Sequence, residues 1–113
     1  MIDLDHFKQV NDAHGHQEGD RTLAAVSKAW GDTLRSTDVL ARAGGDEFVL
    51  LLPRAAGEEA LGVAQRIGDE FRQASAILLR RNEGVGMSIG VGSMRADAPH
   101  STEQLVAAAD AAL

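Results

Sequence analysis

Two adjacent glycines, Gly44 and Gly45, lie between the apolar runs Val39-Leu40-Ala41 and Phe48-Val49-Leu50-Leu51-Leu52. Apolar segments that close together must fold back on one another, and the reversal needs positive φ, which glycine reaches at little steric cost. The stretch Arg42-Ala43-Gly44-Gly45-Asp46-Glu47-Phe48 therefore predicts a β-hairpin. Directly after the predicted turn come two carboxylates, Asp46 and Glu47, on a strand that is otherwise apolar. Neighbouring strand positions face opposite ways, so these acids are expected on opposite surfaces. One of them can then point into a site, held rigidly by the ladder bonds of the hairpin. Ordinary turn chemistry is the plain alternative, since Gly-Gly-Asp is a common turn sequence. A second acidic cluster, Asp3 and Asp5, at the end of a separate predicted strand favours a site.

The chain has 113 residues, enough for one domain with a modest core. It contains no cysteine, which rules out a disulfide framework and a thiolate metal site. No apolar run approaches the length of a membrane span and the N-terminus does not follow a signal-peptide pattern, so the cytoplasm is the simplest expectation. Lys and Arg number 11 against 17 acids, for a formal charge of −6. That balance argues against a nucleic-acid polymer as partner, because binding a phosphate backbone leans on a basic surface. It leaves room for a nucleotide whose phosphates are bridged to carboxylates by divalent cations.

Met1 to Leu4 reads as the tail of a strand. Asp5 is expected to N-cap a short helix that carries Phe7 and Val10 on one face and ends near Gly15. His14, Gly15, His16 and Gly19 are expected in a loop, and Asp20 opens a longer helix with an apolar stripe of Leu23, Val26, Trp30 and Leu34. After the hairpin, closed by Pro53, residues 57–74 predict an amphipathic helix with Leu61, Ala64, Ile67 or Gly68, and Phe71 facing inward. Ala76-Ile77-Leu78-Leu79 reads as a short strand and Asn82-Glu83-Gly84 as a turn. Val85, Met87, Ile89 and Val91 then alternate with Gly86, Ser88, Gly90 and Gly92, a strand with one bulky face and one bare face open to a helix or ligand. Ser101 and Gln104 fit a capping box at the start of a last helix. The order β-α-β-β-α-β-β-α predicts one domain of α/β (α+β type) architecture, a mostly antiparallel central sheet flanked by helices.

If the strands bearing Asp3 and Asp46 are neighbours, their carboxylates can converge on a hard cation such as Mg²⁺. Helix capping is the other reading of Asp3 and Asp5, and the better one for Asp5. Asn11 and Asp20 have the donors and acceptors to read a purine edge, and equally suit a helix end and an N-cap. Lys8 is either directed at phosphate or simply solvated, and His6, His14 and His16 lack a spacing that demands zinc.

Several motifs then occur in fixed order: Asp3-Leu4-Asp5-His6-Phe7-Lys8-Gln9-Val10-Asn11-Asp12, Gly15-His16, Gly19-Asp20, Arg42-Ala43-Gly44-Gly45-Asp46-Glu47-Phe48 and Ser88-Ile89-Gly90-Val91. Together they resemble the GGDEF-domain diguanylate cyclases through nearly the whole chain. The resemblance implies the nucleotidyl-cyclase/ferredoxin-like GGDEF fold and condensation of two GTP molecules into cyclic di-GMP with release of pyrophosphate. It implies Mg²⁺ (or Mn²⁺) held by Asp3, Asp46 and the Leu4 carbonyl. Asp46 is the candidate base at the attacking 3′-hydroxyl, with Glu47 beside it as the other catalytic candidate. Asn11 and Asp20 match the guanine-reading positions, and Phe7 and Leu23 the pocket wall. Lys8, His16, Gly44 and Gly45 match positions near the phosphates or the loops that hold substrate. Because each subunit would hold one GTP, the reaction also implies a homodimer.

Arg35-Ser36-Thr37-Asp38, an Arg-x-x-Asp with five residues between Asp38 and Gly44, is similar to the family's inhibitory product-binding site. Arg35 could clamp a phosphate or stack on guanine while Asp38 accepts from a guanine edge. A helix-ending Arg and a strand-leading Asp are the plain alternative. Against the family pattern, the chain lacks the opening helix with its Asp-x-Leu-Thr-x-Leu-x-Asn-Arg motif. It also lacks the C-terminal Tyr-x-Ala-Lys and Gly-Arg-Asn runs and the sensor domain usual upstream. A non-catalytic receptor for cyclic di-GMP or GTP and a dimerisation module are the alternatives to a working cyclase.

Overall fold

In the computed structural model, which describes residues 1–78, 84–94 and 101–113, the central strand is also among the shortest. Strand β1 (Ile2–Asp3) leads into helix α1 (Phe7–His14) and helix α2 (His16–Gly31). Strands β2 (Val39–Gly44) and β3 (Glu47–Leu51) form the expected hairpin. Helix α3 (Gly57–Leu78), strand β4 (Ser88–Ile89) and helix α4 (Thr102–Ala111) complete the described chain. All pairings are antiparallel, in the order β2-β3-β1-β4. The α+β fold with an antiparallel sheet is thus the architecture expected from the sequence.

Register explains which residues enter the core. Ile2 stands opposite Phe48 on one side and Ile89 on the other, so these apolar side chains share a face. Trp30 of α2 meets Phe48 edge to face, with ring centroids 5.2 Å apart at 87°, and lies 6.4 Å from Phe71 of α3. That geometry puts the positive ring edge against the negative face and adds about 0.5–1.5 kcal/mol beyond area burial. Leu4, Phe7, Val10, Leu23, Val26, Val63 and Ile67 fill in around it. Two helices packed on one face of the sheet thus leave the next row, Asp3 with Glu47 and Ser88, facing the other way.

Several local expectations are corrected. The α1 N-cap is His6, in the left-handed region at φ 62, and no side chain caps it. Asp5 accepts instead from the Ser88 hydroxyl. Helix α2 begins at His16 rather than Asp20, so His16 and Gly19 are helical; Gly15 alone, at φ 83 and ψ 158, turns the chain between the two helices. His, Gly and Gly read locally as helix breakers, and tertiary support overrides that preference. Ala76, Ile77 and Leu78 continue α3 instead of forming a strand, while Leu79, Asn82 and Glu83 lie outside the described residues. The inward stripe of α3 is Ala60, Val63, Ile67 and Phe71, and Leu61 is 53% exposed. Of the strand predicted at 85–91, only Ser88–Ile89 joins the ladder. The capping box at Ser101 and Gln104 is present. The bare face beyond β4 receives α4 closely: a Cβ on Gly92 would come within 2.7 Å of the Leu105 carbonyl, and one on Gly90 within 2.6 Å of the Leu113 nitrogen.

Candidate active site

The hairpin tip is one residue later than expected. Gly44 pairs with Glu47, so the loop is Gly45-Asp46, with Gly45 at φ 49. The Arg42 Nε donates to the Gly45 carbonyl at 2.9 Å and braces this tip. Asp46 is therefore a loop residue, and strand alternation does not force it away from Glu47. Glu47 stands opposite Asp3 in the β1–β3 ladder, and the Leu4 N–H donates to the Asp46 carbonyl at 3.3 Å. The strands β1 and β3 are neighbours as expected, with Asp46 in the loop that enters β3 rather than on the strand itself.

The Asp3 carboxyl is held above its ordinary range, first by burial and then by the negative charges of Asp46, Asp5 and Glu47. Four acids thus gather around the end of β1, and Asp3 carries the electrostatic cost. Such a corner attracts a hard cation, which relieves both the repulsion and the desolvation. The Leu4 carbonyl accepts from the Phe7 N–H at 3.3 Å. A carbonyl has two lone pairs, so one is left for a ligand. Among the described residues no group of three or more His, Asp or Glu side chains is arranged to hold a metal ion. A cation here would rest on the Asp3 and Asp46 carboxylates, the Leu4 carbonyl and oxygens of a bound phosphate. That all-oxygen set fits Mg²⁺ or Mn²⁺.

The helical corner of α1 and α2 brings a second group together. Asn11 is half-buried and its amide lies over Gly19, where a Cβ would strike the side chain and come within 3.2 Å of the Phe7 ring. Gly19, expected in a loop, is instead a buried helical residue under the Asn11 amide, directly before Asp20. Asp20 is exposed one position on, as are Lys8 and His16. Phe7 and Leu23 are buried in the core cluster.

Arg35 and Asp38 are brought together at the far end of β2 from the tip. The Arg35 N–H donates to Asp38 Oδ2 at 2.9 Å, and the Asp38 N–H donates to the Arg35 carbonyl at 3.0 Å. The Arg35 guanidinium pairs with Glu59 of α3 at 2.6 Å. At ~3.3 Å per strand residue this turn sits about 20 Å from Gly44. A separate apolar cavity of about 530 Å³ lies among Leu50, Leu52, Val63, Ile67 and Leu105, and no carboxylate among the described residues lines it.

The family model described as "Diguanylate cyclase, GGDEF domain" matches residues 1–113. The chain belongs to the GGDEF family. This GGDEF domain is 36% identical over 113 residues to diguanylate cyclase DosC of Escherichia coli (strain K12), covering 100% of this chain and 24% of that protein. It thus spans about a quarter of the length of that curated relative. Among solved structures it resembles the active GGEEF domain of a diguanylate cyclase from Vibrio cholerae, with TM-score 0.85 and 30% identity. That match covers 99% of this chain and 70% of the other. It also resembles the diguanylate cyclase SiaD of Pseudomonas aeruginosa, solved in complex with its activator SiaC, with TM-score 0.79 and 37% identity. Here the match covers 98% of this chain and 42% of SiaD. No helix among the described residues of the GGDEF domain is long and apolar enough to cross a membrane.

Proposed function

We propose that this GGDEF domain is the catalytic domain of a cytoplasmic diguanylate cyclase, joining two GTP molecules into cyclic di-GMP with release of two pyrophosphates. The observation that carries this reading is the acid corner, where Asp3 is crowded by Asp46, Asp5 and Glu47 beside the hairpin tip. Asp3, Asp46 and the Leu4 carbonyl would hold Mg²⁺ or Mn²⁺. Bound there, such a cation would supply charge neutralisation of the triphosphate and Lewis-acid activation of the attacking hydroxyl. Asp46, on the tip, accepts the proton of the 3′-hydroxyl, with Glu47 the neighbouring candidate for that role. The 3′-oxygen bonds to the α-phosphorus of the facing GTP, and the bond to pyrophosphate breaks.

Asn11 and Asp20 read the guanine edge, over a wall formed by Phe7 and Leu23. Lys8 and His16, both exposed near the start of their helices, face the phosphates, and Gly44 and Gly45 let the tip approach them. Each domain carries one GTP, so a homodimer completes the reaction, under the control of a sensor domain in the longer protein. The self-bonded Arg35–Asp38 turn takes the product as an inhibitor.

Incubation of the purified chain with GTP and Mg²⁺, alongside Asp46→Asn, tests the proposal. Cyclic di-GMP, identified by mass, is expected from the parent and not from the variant. GTP bound without turnover by either would overturn the cyclase reading in favour of a receptor. Absence of saturable GTP binding in Mg²⁺ would leave a dimerisation module.

A further inference from the structure

Two features around Asp5 are not used by the mechanism above. The first is a strained turn: His6, a non-glycine residue, sits at φ 62 between the acid corner and α1. Such a conformation persists only where the surroundings over-determine it. The second is what surrounds it. The Ser88 hydroxyl lies 2.9 Å from Asp5 Oδ1 and 3.2 Å from Oδ2, joining residues 83 positions apart. The Asp5 N–H donates to the Gly86 carbonyl at 3.0 Å, and the Gly86 N–H donates back to the Asp5 carbonyl at 3.1 Å. Gly86 has no room for a side chain, since a Cβ there would lie 2.8 Å from Asp5 Oδ2. On the other flank the Leu4 N–H is tied to the Asp46 carbonyl.

We propose that Asp5 and Ser88 form a positioning latch that fixes the Leu4 carbonyl and the Asp3 carboxylate in the geometry that receives a divalent cation. This rests on the metal site assigned above. Asp5 is then neither a helix cap nor a metal ligand. Its carboxylate is occupied by the Ser88 hydroxyl, and its main chain is stitched to the segment leading into β4. The segment Asp3-Leu4-Asp5 is thereby held from both sides, by the hairpin tip at Leu4 and by Gly86 and Ser88 at Asp5. Without the latch the strained turn at His6 is free to relax, and relaxation swings the Leu4 carbonyl, only two residues away. Partners that orient metal ligands typically matter by about 10–100-fold in metal affinity.

The test is Mn²⁺ affinity, followed by electron paramagnetic resonance in the presence of a non-hydrolysable GTP analogue, with thermal unfolding measured on the same samples without metal. Ser88→Ala is expected to weaken Mn²⁺ binding about tenfold, and Ser88→Thr, which keeps the hydroxyl, to restore it. Asp5→Asn keeps an acceptor for Ser88 and is expected to bind Mn²⁺ more tightly than Asp5→Ala. A core variant, Val63→Ala, serves as the control for stability. Ser88→Ala binding Mn²⁺ like the parent overturns the latch. So does a Val63→Ala protein, matched in melting temperature, that loses the same affinity. Asp3→Asn separates the two levels. If it loses Mn²⁺ while Ser88→Ala does not, only the latch fails; if it binds like the parent, the metal site itself is wrong.

Discussion

Asp3 is the residue on which the acid corner places its strain. Its carboxyl is raised by burial and by Asp46, Asp5 and Glu47. The folded chain therefore holds that proton to higher pH than the unfolded chain does, and stability falls as pH rises between the ordinary and the raised value. Asp3→Asn removes the penalty. Its melting temperature in chelator is expected to exceed the parent's at pH 7, the difference closing below the ordinary value of 3.8. A difference that does not change with pH would show that the acids do not act on Asp3. Gly19 tests the purine-reading assignment in the same way. In Gly19→Ala the new methyl displaces the Asn11 amide. Overpacking of about 1–3 kcal/mol is partly offset by the roughly 1 kcal/mol that Ala gains over Gly in a helix. The loss should appear as several-fold weaker GTP binding, measured by titration calorimetry, with any change in the unfolding midpoint limited to the up to ~2 kcal/mol left after that offset. Unchanged binding would remove Asn11 from the site.

At the scale of elements, strong periodicity was legible and tertiary support was not. The hairpin, the α2 stripe through Leu23, Val26 and Trp30, and the cap at Ser101 follow from patterns that local physics enforces. The misreadings share a cause. Asp5 is a good N-cap residue, but a hydroxyl from a distant strand claims it, and no local sequence window contains Ser88. Gly19 looks like a breaker until the Asn11 amide is seen above it. The Ala76–Leu78 run is as apolar as a strand, yet α3 simply continues through it. The acid corner was legible because acids are rare on apolar strands; the placement of Asp46 in the loop was not, since one residue of hairpin register decided it. The Arg35–Asp38 turn follows the same logic, its main chain closed by hydrogen bonds and its guanidinium held by an exposed pair with Glu59. Pairs of that kind contribute about 0–1 kcal/mol, so if the turn takes the product as proposed, a phosphate would displace Glu59 at little cost. Arg35→Ala is expected to relieve product inhibition while leaving metal-dependent turnover unchanged. Inhibition as strong as the parent's in that variant would refute the assignment.

For the whole molecule, what matters is that the acid corner and the Arg35 turn occupy opposite ends of β2, about 20 Å apart at the rise of a strand. On the proposed assignment, product bound at one end would not touch substrate at the other. Raising GTP concentration is therefore expected to leave the degree of inhibition unchanged in initial-rate assays. Relief by excess GTP would mean that both ligands compete for one site. The central position of β1 has a different consequence. Its two residues divide their duties, Ile2 to the core and Asp3 to the corner, and each is locked to a neighbour on both sides. Insertion or deletion of a single codon here would turn the acid inward and the isoleucine outward at once. Descendants of this gene can therefore drift freely in spelling at many surface positions. The spacing of the letters that spell this strand has to be inherited intact.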